Sequence, residues 1–242
     1  MKVIALIPAR LDSTRLAQKL LIDLEGKSVI QRTFEATIAT NLFHQVIVVT
    51  DAEAIAEIIQ KSGGTAIMSN GNFESGTDRI ASIAKDLEAD VFVNVQGDEP
   101  FVQKNVLEQL IQLFNDQTVR IASLKKPLFE KTLSDSPNTV KVVCDKNDNA
   151  LYFSRSVIPF VRDTETNITH YQHIGVYAFR KEALTLFPTL PKSELEQVEK
   201  LEQLRFLENG IGIKMTTVEE MGIGIDVAED VERARAYLRN YL

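Results

Sequence analysis

The chain has 242 residues, of which 44% are hydrophobic and 25% are charged, a composition typical of a globular protein with a full-sized core. Its 27 basic and 34 acidic residues give a net charge of −7, which argues against a nucleic-acid-binding protein that depends on a general positive field. No apolar run approaches the 18 or so residues of a membrane span, and the apolar N-terminal stretch stops at Pro8, too early for a signal peptide. We therefore expect a cytoplasmic protein with no nucleic-acid partner and no membrane insertion.

Few residues in the chain suit a soft metal. Its single cysteine, Cys144, excludes an internal disulfide and a thiolate metal site. The three histidines, at positions 44, 170 and 173, stand at spacings that do not favour a shared metal. Any bound metal is therefore expected to be a hard ion such as Mg²⁺, held by oxygen ligands.

The first half of the chain alternates β-branched runs with helical patterns. Strands are predicted at Val3–Ile7, Val46–Thr50, Thr65–Met68, Val91–Val95 and Arg120–Leu124. Helices are predicted to follow Ser28 and Asp51, each taken as an N-cap, and to span Ile80–Leu87 and Val106–Phe114. Strict alternation of this kind predicts βαβ units and a mostly parallel sheet with helices on both faces.

The pattern changes after about residue 126. In chain order, we predict a hairpin of Val140–Cys144 with Ala150–Ser154, a polar loop at Arg162–Thr169, a strand at His173–Phe179, and helices at Leu195–Leu207 and Val227–Leu242. We therefore predict a single α/β domain over residues 1–242, of the Rossmann-like three-layer type, with a β-rich excursion at about 127–180.

Ligands of open parallel sheets bind where the strands end, so the loops after the strands are the first candidates for a site. The loop after the first strand carries Arg10, Arg15 and Lys19 with small residues between them. This arrangement suits a polyphosphate, although an exposed basic loop would have the same pattern. The loop has neither the G-x-x-x-x-G-K-[ST] pattern nor G-x-G-x-x-G, which disfavours two common nucleotide-binding folds.

Further candidates follow the third and later strands. In the segment 74–79, Gly76 permits close backbone approach and Arg79 adds a cation, although the segment also reads as a plain helix start. Asp98 ends an apolar strand and is placed to hold Mg²⁺, or else is a turn residue. Asp226, before the last helix, is either a second metal ligand or that helix's N-cap.

Seven stretches of the chain resemble the cytidylyltransferases that make CMP-activated sugar acids, most closely the branch that uses 3-deoxy-manno-octulosonate (Kdo). They are Ile-Pro-Ala-Arg-x-x-Ser-x-Arg-Leu (7–16), Ser-Gly-Thr-Asp-Arg (75–79), Asn-Val-Gln-Gly-Asp-Glu-Pro (94–100), Ala-Leu-Tyr-Phe-Ser-Arg-Ser-x-Ile-Pro (150–159), His-Ile-Gly-Val-Tyr-Ala-Phe-Arg (173–180), Lys-Leu-Glu-Gln-Leu-Arg (200–205) and Gly-Ile-Asp (224–226). Together they cover nearly the whole chain, and the stretches at 150–159, 173–180 and 200–205 favour the Kdo branch.

The resemblance implies the fold of nucleotide-diphospho-sugar transferases and transfer of CMP from CTP to Kdo, with release of pyrophosphate, for lipopolysaccharide biosynthesis. It implies four catalytic residues: Arg10, Lys19, Asp98 and Asp226. It implies nucleotide contacts from Ala9, Arg10, Ser13, Arg15, Lys19, Ser75, Arg79 and Gln96, and Mg²⁺ held by Asp98 and Asp226. It implies a sugar pocket of Gln96, Arg155, His173, Tyr177, Glu202 and Gln203, and a homodimer interface in the 127–180 region.

The chain departs from the family pattern in two places. The segment Arg15-Leu-Ala-Gln-Lys-Leu-Leu21 lacks two prolines and a glycine of the usual Arg-Leu-Pro-Gly-Lys-Pro-Leu, and Phe73 stands where many members have histidine. Three alternatives to the Kdo reaction stay open. They are activation of 8-amino-Kdo or a sialic-type nonulosonate, a nucleotide-sugar glycosyltransferase, and a non-catalytic nucleotide-binding module. The glycosyltransferase would carry Asp-x-Asp where this chain has Gly97-Asp98-Glu99.

Overall fold

The computed structural model describes residues 1–11, 16–163, 168–219 and 222–241. Its strands are β1 (Val3–Ala9), β2 (Asp23–Leu24), β3 (Lys27–Ser28), β4 (Gln45–Thr50), β5 (Thr65–Met68), β6 (Val91–Asn94), β7 (Ile121–Leu128), β8 (Lys141–Cys144), β9 (Ala150–Ser154), β10 (His170–Arg180) and β11 (Lys214–Thr217). Its α-helices are α1 (Val29–Ala39), α2 (Glu53–Lys61), α3 (Gly76–Ala84), α4 (Lys104–Gln112), α5 (Lys131–Asp135), α6 (Lys181–Leu186), α7 (Glu194–Glu199), α8 (Leu204–Glu208) and α9 (Ala228–Tyr241). Short 3-10 helices lie at Lys19–Leu21, Leu113–Asn115 and Phe187–Thr189.

The chain forms two compact units. The first comprises Met1–Glu108 with Met221–Leu242, and the second comprises Gln109–Glu220. That the two make up one domain with a β-rich excursion at 127–180 stays a prediction. No helix in the described parts of the chain combines the length and the apolar character needed to cross a membrane.

The first unit contains a parallel sheet in the order β6–β1–β4–β5. All seven residues of β1 are buried, as expected of a central strand covered on both faces. The helices α1, α2 and α3 pack against this sheet. In the second unit β7 pairs in parallel with β11 and antiparallel with β10. The predicted α/β fold class, with a mostly parallel sheet, is confirmed.

The strand order indicates which edge of the first unit's sheet is suited to bind a ligand. The chain leaves β1 towards β4 on one side and later returns to β6 on the other, which is the strand reversal where α/β sheets bind ligands. A Cβ atom at Gly97 would lie 3.0 Å from the Pro8 carbonyl oxygen, so the glycine allows the exits of β1 and β6 to approach closely. The loops after these two strands therefore converge on one edge.

The hairpin predicted in the second half is confirmed, because β8 and β9 pair antiparallel and β8 also pairs with β10. The single helix predicted at Leu195–Leu207 is wrong. Lys200 adopts a left-handed conformation with φ 55° and ends α7, and α8 begins only at Leu204. The break lets the buried Arg205 guanidinium fold back onto the Glu196 carboxylate at 2.6 and 2.8 Å, a bidentate pair that one straight helix would not form.

Two other predictions of local structure have different outcomes. The N-cap predicted at Asp51 is wrong: α2 begins after Ala52, which has no side-chain cap, and the Asp51 carboxylate instead pairs with Arg79. Of the loop predicted at Arg162–Thr169, residues 164–167 lie outside the described part of the chain.

Candidate active site

A cavity of about 240 Å³ lies at the strand exits of the first unit. It is lined by Pro8, Ala9, Arg10, Lys19, Leu20, Phe73, Glu74, Ser75, Gly76, Arg79, Gln96, Gly97, Asp98 and Asp226. Eight of these were predicted as site residues: Ala9, Arg10, Lys19, Ser75, Arg79, Gln96, Asp98 and Asp226. Two further predicted nucleotide contacts, Ser13 and Arg15, lie outside the described residues. The structure thus gathers most of the predicted nucleotide and metal residues around one cavity.

Lys19 joins the two predicted metal ligands. Its ammonium nitrogen lies 2.5 Å from Asp98 Oδ2 and 3.1 Å from Asp226 Oδ1. The Lys19 side chain is only 12% exposed, and burial lowers its pKa. The charges and hydrogen bonds of the two aspartates outweigh burial and hold the pKa of Lys19 above its ordinary value. The two carboxylates therefore favour the charged form of the lysine that lies between them.

Glu99, next to Asp98, was not predicted as a site residue. Burial raises the pKa of its carboxyl group to about 8, and the charges of Asp98 and Asp226 act in the same direction, against Lys19. The signal that points to it is the Gly-Asp-Glu sequence at a strand exit, which puts two adjacent carboxyl groups at the binding edge. With three carboxyl groups near one lysine, the neutral form of Glu99 limits their mutual repulsion.

Asp226 is held in place by its backbone. The N–H of its neighbour Ile225 donates to the Asp98 carbonyl oxygen at 2.9 Å. The buried Asp230 carboxylate accepts from the backbone N–H groups of Asp226 and Val227 at 2.8 and 2.9 Å. Burial raises the pKa of Asp230, but these backbone bonds and Arg233 more than compensate, so that it is lowered overall. The first turn of α9 thus fixes the segment that carries Asp226.

Arg79 lines the cavity, but its guanidinium is engaged by the protein. It donates to Asp51 Oδ2 at 2.6 Å and to Ser69 Oγ at 2.7 Å, and it lies over the Phe73 ring at 5.1 Å. The side chain is 6% exposed. In this structure Arg79 therefore braces the loop after β5, and its predicted contact with the nucleotide stays a prediction.

Ser75 and Gln96 both have partners within the protein. Ser75 is the N-cap of α3, and its hydroxyl oxygen accepts from the Asp78 N–H at 3.1 Å. Gln96 Nε2 donates to Asn94 Oδ1 at 3.3 Å. Asn94 is fully buried, and its Nδ2 has no hydrogen-bond partner among the described residues. The Gln96 side chain thus lines the cavity while its amide is hydrogen-bonded to the buried Asn94 side chain.

The other predicted sugar-pocket residues all belong to the second unit. His173 Nε2 lies 3.0 Å from Ser123 Oγ, and burial lowers the pKa of His173 to about 3, which makes the ring neutral. The rings of His173 and Tyr177 lie 5.3 Å apart between centroids. Burial raises the pKa of Tyr177, and the Glu202 charge adds to this effect. These contacts bring His173, Tyr177 and Glu202 together.

The two remaining predicted sugar ligands differ in how they are engaged. Arg155 donates from Nε to the Glu199 carbonyl oxygen at 2.8 Å and from Nη1 to the Pro137 carbonyl oxygen at 2.9 Å. Gln203 is 4% exposed, and its Nε2 has no hydrogen-bond partner within the described part of the chain. A buried donor of this kind is costly unless a ligand or water satisfies it.

Comparison with known proteins decides the family. The family model described as Cytidylyltransferase matches residues 4–218. The chain belongs to the cytidylyltransferase family. The 3-deoxy-manno-octulosonate cytidylyltransferases of Flavobacterium johnsoniae and Christiangramia forsetii are 52% and 47% identical to this cytidylyltransferase, over 99% and 98% of its chain and 100% and 97% of theirs. The family predicted from the motifs, including its Kdo branch, is confirmed.

Solved structures agree with this assignment. CMP:2-keto-3-deoxy-manno-octonic acid synthetase, solved in complex with CTP, superposes on this cytidylyltransferase with a TM-score of 0.95 and 38% identity over 100% of both chains. The 4-diphosphocytidyl-2C-methyl-D-erythritol synthase of Anaerococcus prevotii superposes with a TM-score of 0.68 at 17% identity over 98% of both chains, which shows a shared fold only.

Proposed function

We propose that this cytidylyltransferase transfers CMP from CTP to Kdo, releasing pyrophosphate and forming CMP-Kdo. The observation that carries the proposal is the cavity in which Arg10 and Lys19 meet Asp98 and Asp226 at the strand exits. The full-length similarity to 3-deoxy-manno-octulosonate cytidylyltransferases at 52% and 47% identity supports the same reaction.

At the α-phosphorus, the reaction forms one bond and breaks one. The anomeric 2-hydroxyl oxygen of Kdo attacks the α-phosphorus of CTP in line, the bond from that phosphorus to the bridging oxygen breaks, and pyrophosphate departs with the electrons of that bond. The hydroxyl proton passes to water. Negative charge builds on the phosphoryl oxygens and the leaving group. Arg10, exposed on the cavity wall, and Lys19 supply positive charge to that region. Such electrostatic stabilisation needs no covalent intermediate on the protein.

We include Mg²⁺ as the cofactor, held by Asp98 and Asp226. The donor set fits this ion, because two carboxylate oxygens already converge on the cation of Lys19. Within the described residues no group of three or more His, Cys, Asp and Glu is arranged to hold a metal. Mg²⁺ commonly takes only one or two carboxylates and completes its coordination with phosphate oxygens and water. When bound, Mg²⁺ would neutralise phosphate charge and lower the pKa of a nearby hydroxyl.

We propose that Gln96, Arg155, His173, Tyr177, Glu202 and Gln203 contact the sugar. The unsatisfied Gln203 amide supports this assignment, because a polar ligand would satisfy it. His173 is neutral at working pH, so it would act through hydrogen bonding rather than charge. Arg155 would offer the sugar carboxylate its remaining donors, since Nε and Nη1 already bind backbone carbonyls.

The assembly and cellular role are also proposals. Phe129 and Phe160, both within the 127–180 region, are 86% and 85% exposed, and Leu151 is 62% exposed. Exposed large apolar side chains favour a surface that a second copy covers, which supports a homodimer formed through this region. We place the enzyme in the cytoplasm, where CMP-Kdo would serve lipopolysaccharide biosynthesis as an activated sugar donor.

The direct test offers CTP and Mg²⁺ with Kdo, 8-amino-Kdo or N-acetylneuraminate separately, and measures pyrophosphate release. We expect the highest kcat/KM with Kdo. A preference for either of the other acids would assign the enzyme to a different sugar with the same nucleotide chemistry. Binding of CTP without pyrophosphate release with any acid would contradict the proposed reaction.

A further inference from the structure

Lys19 occupies the space between the two carboxylates assigned to the metal. It begins the 3-10 helix that follows the first loop, whereas Asp98 follows β6 and Asp226 precedes α9. Its ammonium nitrogen contacts both carboxylates, at 2.5 and 3.1 Å, and its side chain is 12% exposed. A cation belonging to the protein thus holds these two aspartates together.

The lysine and a divalent ion compete for the same oxygens. Mg²⁺ binds carboxylate oxygens at roughly 2.0–2.1 Å, so an ion on Asp98 and Asp226 would lie within a few ångströms of the Lys19 ammonium. Two cations at that separation repel strongly in a partly buried site. The ion therefore gains full access to the carboxylates only when the ammonium moves away.

The side chain, rather than the backbone, can make this movement. The turn at Lys19 is closed by the Leu21 N–H, which donates to the Gln18 carbonyl oxygen at 2.8 Å, and Leu20 is buried beneath it. The flexible four-carbon stem of lysine allows the ammonium to turn while this backbone stays in place. A triphosphate in the cavity would offer the ammonium more negative charge than the two aspartates do.

We propose that Lys19 acts as a stand-in cation for the metal, holding Asp98 and Asp226 until the nucleotide triphosphate draws it away. Metal binding is then coupled to nucleotide binding, and the coupling is reciprocal, since each ligand raises the affinity of the other. This inference rests on the proposed use of CTP and Mg²⁺. It assigns Lys19 a role before the reaction, in addition to its role on the phosphates.

The test measures Mn²⁺ binding by electron paramagnetic resonance in the absence of nucleotide. Lys19→Met and Lys19→Gln both remove the competing charge, and Gln retains a hydrogen-bond donor for the two aspartates. We expect either variant to bind Mn²⁺ about 10-fold more tightly than the wild type, a typical coupling strength. Lys27→Met is the matched control, because Lys27 pairs with Glu35 in an exposed salt bridge of the same unit.

The outcomes separate this inference from the proposed function. Lys19 variants that bind Mn²⁺ no more tightly than the wild type would overturn it. So would a wild-type protein that binds Mn²⁺ as tightly alone as with α,β-methylene-CTP, a result that needs no variant. Failure of the wild type to release pyrophosphate from CTP and Kdo would instead refute the proposed reaction, since the metal measurement uses no sugar.

Discussion

Asp230 connects the stability of the last helix to the geometry of the metal ligand. Its carboxylate is 6% exposed and accepts the two backbone N–H groups of Asp226 and Val227. Asp230→Ala removes both acceptor bonds at once. Glu229→Ala is the matched control, because Glu229 lies in the same turn and is exposed.

The magnitude follows from these two bonds. Losing a capping carboxylate at a helix start costs about 0.5–2 kcal/mol, and hydrogen bonds to a charged group are worth about 1.5–3 kcal/mol. We expect Asp230→Ala to lower the free energy of unfolding by about 2 kcal/mol, or Tm by about 4–8 °C for a chain of this size. Loss of a residue that holds a metal ligand in place commonly lowers metal affinity about 10–100-fold, so we expect Mg²⁺ affinity to fall by about 10-fold or more.

Two assays separate the effects. Thermal unfolding gives the capping contribution, and the Mg²⁺ dependence of pyrophosphate release at saturating CTP gives the positioning contribution. Glu229→Ala should leave both unchanged. An Asp230→Ala variant with a lowered Tm but the wild-type Mg²⁺ dependence would refute the idea that Asp230 positions Asp226.

Three further variants, one of them with a matched control, test other parts of the structure. Burial raises the pKa of Glu99 to about 8, so between about pH 4.5 and pH 8 the folded protein keeps a carboxyl proton that the unfolded chain releases. The contribution of Glu99 to the free energy of unfolding is therefore full below about pH 4.5 and declines as the pH rises to 8. Each pKa unit corresponds to about 1.4 kcal/mol in the free energy of unfolding. Glu99→Gln cannot lose this proton, so its Tm, measured in EDTA, should fall less steeply with pH than that of the wild type. In Gly222→Ala, the new Cβ would lie 2.2 Å from the Phe101 carbonyl oxygen, about 0.8 Å inside the 3.0 Å limit of real Cβ contacts. Because the backbone before α9 must shift to relieve this clash and so displaces Asp226, pyrophosphate release should slow by about 10–100-fold. Gly212→Ala, with open space around it, should have no effect. Arg205→Met leaves the largely buried Glu196 carboxylate, which is 12% exposed, without its bidentate partner and should lower the free energy of unfolding by about 3 kcal/mol in urea titrations.

Each of these expectations has a contrary result. If a group other than Glu99 caused the fall of Tm with pH, the Tm of Glu99→Gln would depend on pH in the same way as that of the wild type. Equal activities of the variants at Gly222 and Gly212 would show that the segment before α9 absorbs the clash without moving the site. A loss below about 1 kcal/mol for the Arg205 variant would mean that the pair contributes no more than a surface salt bridge.

The binding edge was predictable because parallel strands point the same way. Once the β-branched runs around Ala9 and Asn94 are recognised as neighbouring parallel strands, the residues that follow them must meet at one edge. Arg10 and Asp98 therefore face one cavity, as the motifs predicted. Local periodicity predicts the strands and their shared direction, whereas their adjacency is seen only in the folded chain, where β1 pairs with β6.

What escaped prediction depends on contacts between distant residues or on the backbone conformation of a single residue. The N-cap predicted at Asp51 failed because Arg79, 28 residues away, offers the carboxylate a charged partner. The helix predicted at Leu195–Leu207 failed because periodicity does not reveal the left-handed residue at Lys200. The contact of Lys19 with Asp226 spans 207 residues, and only the folded chain brings the two together.

The most direct test of the account compares Asp98→Asn with the wild type in the CTP, Mg²⁺ and Kdo assay. Asp86→Asn, at an exposed aspartate of the same unit, is the control. We predict that Asp98→Asn remains folded and loses at least about 100-fold in the rate of CMP-Kdo formation, while the control keeps wild-type activity. Near wild-type turnover by Asp98→Asn would contradict the assignment of the metal and of the active site.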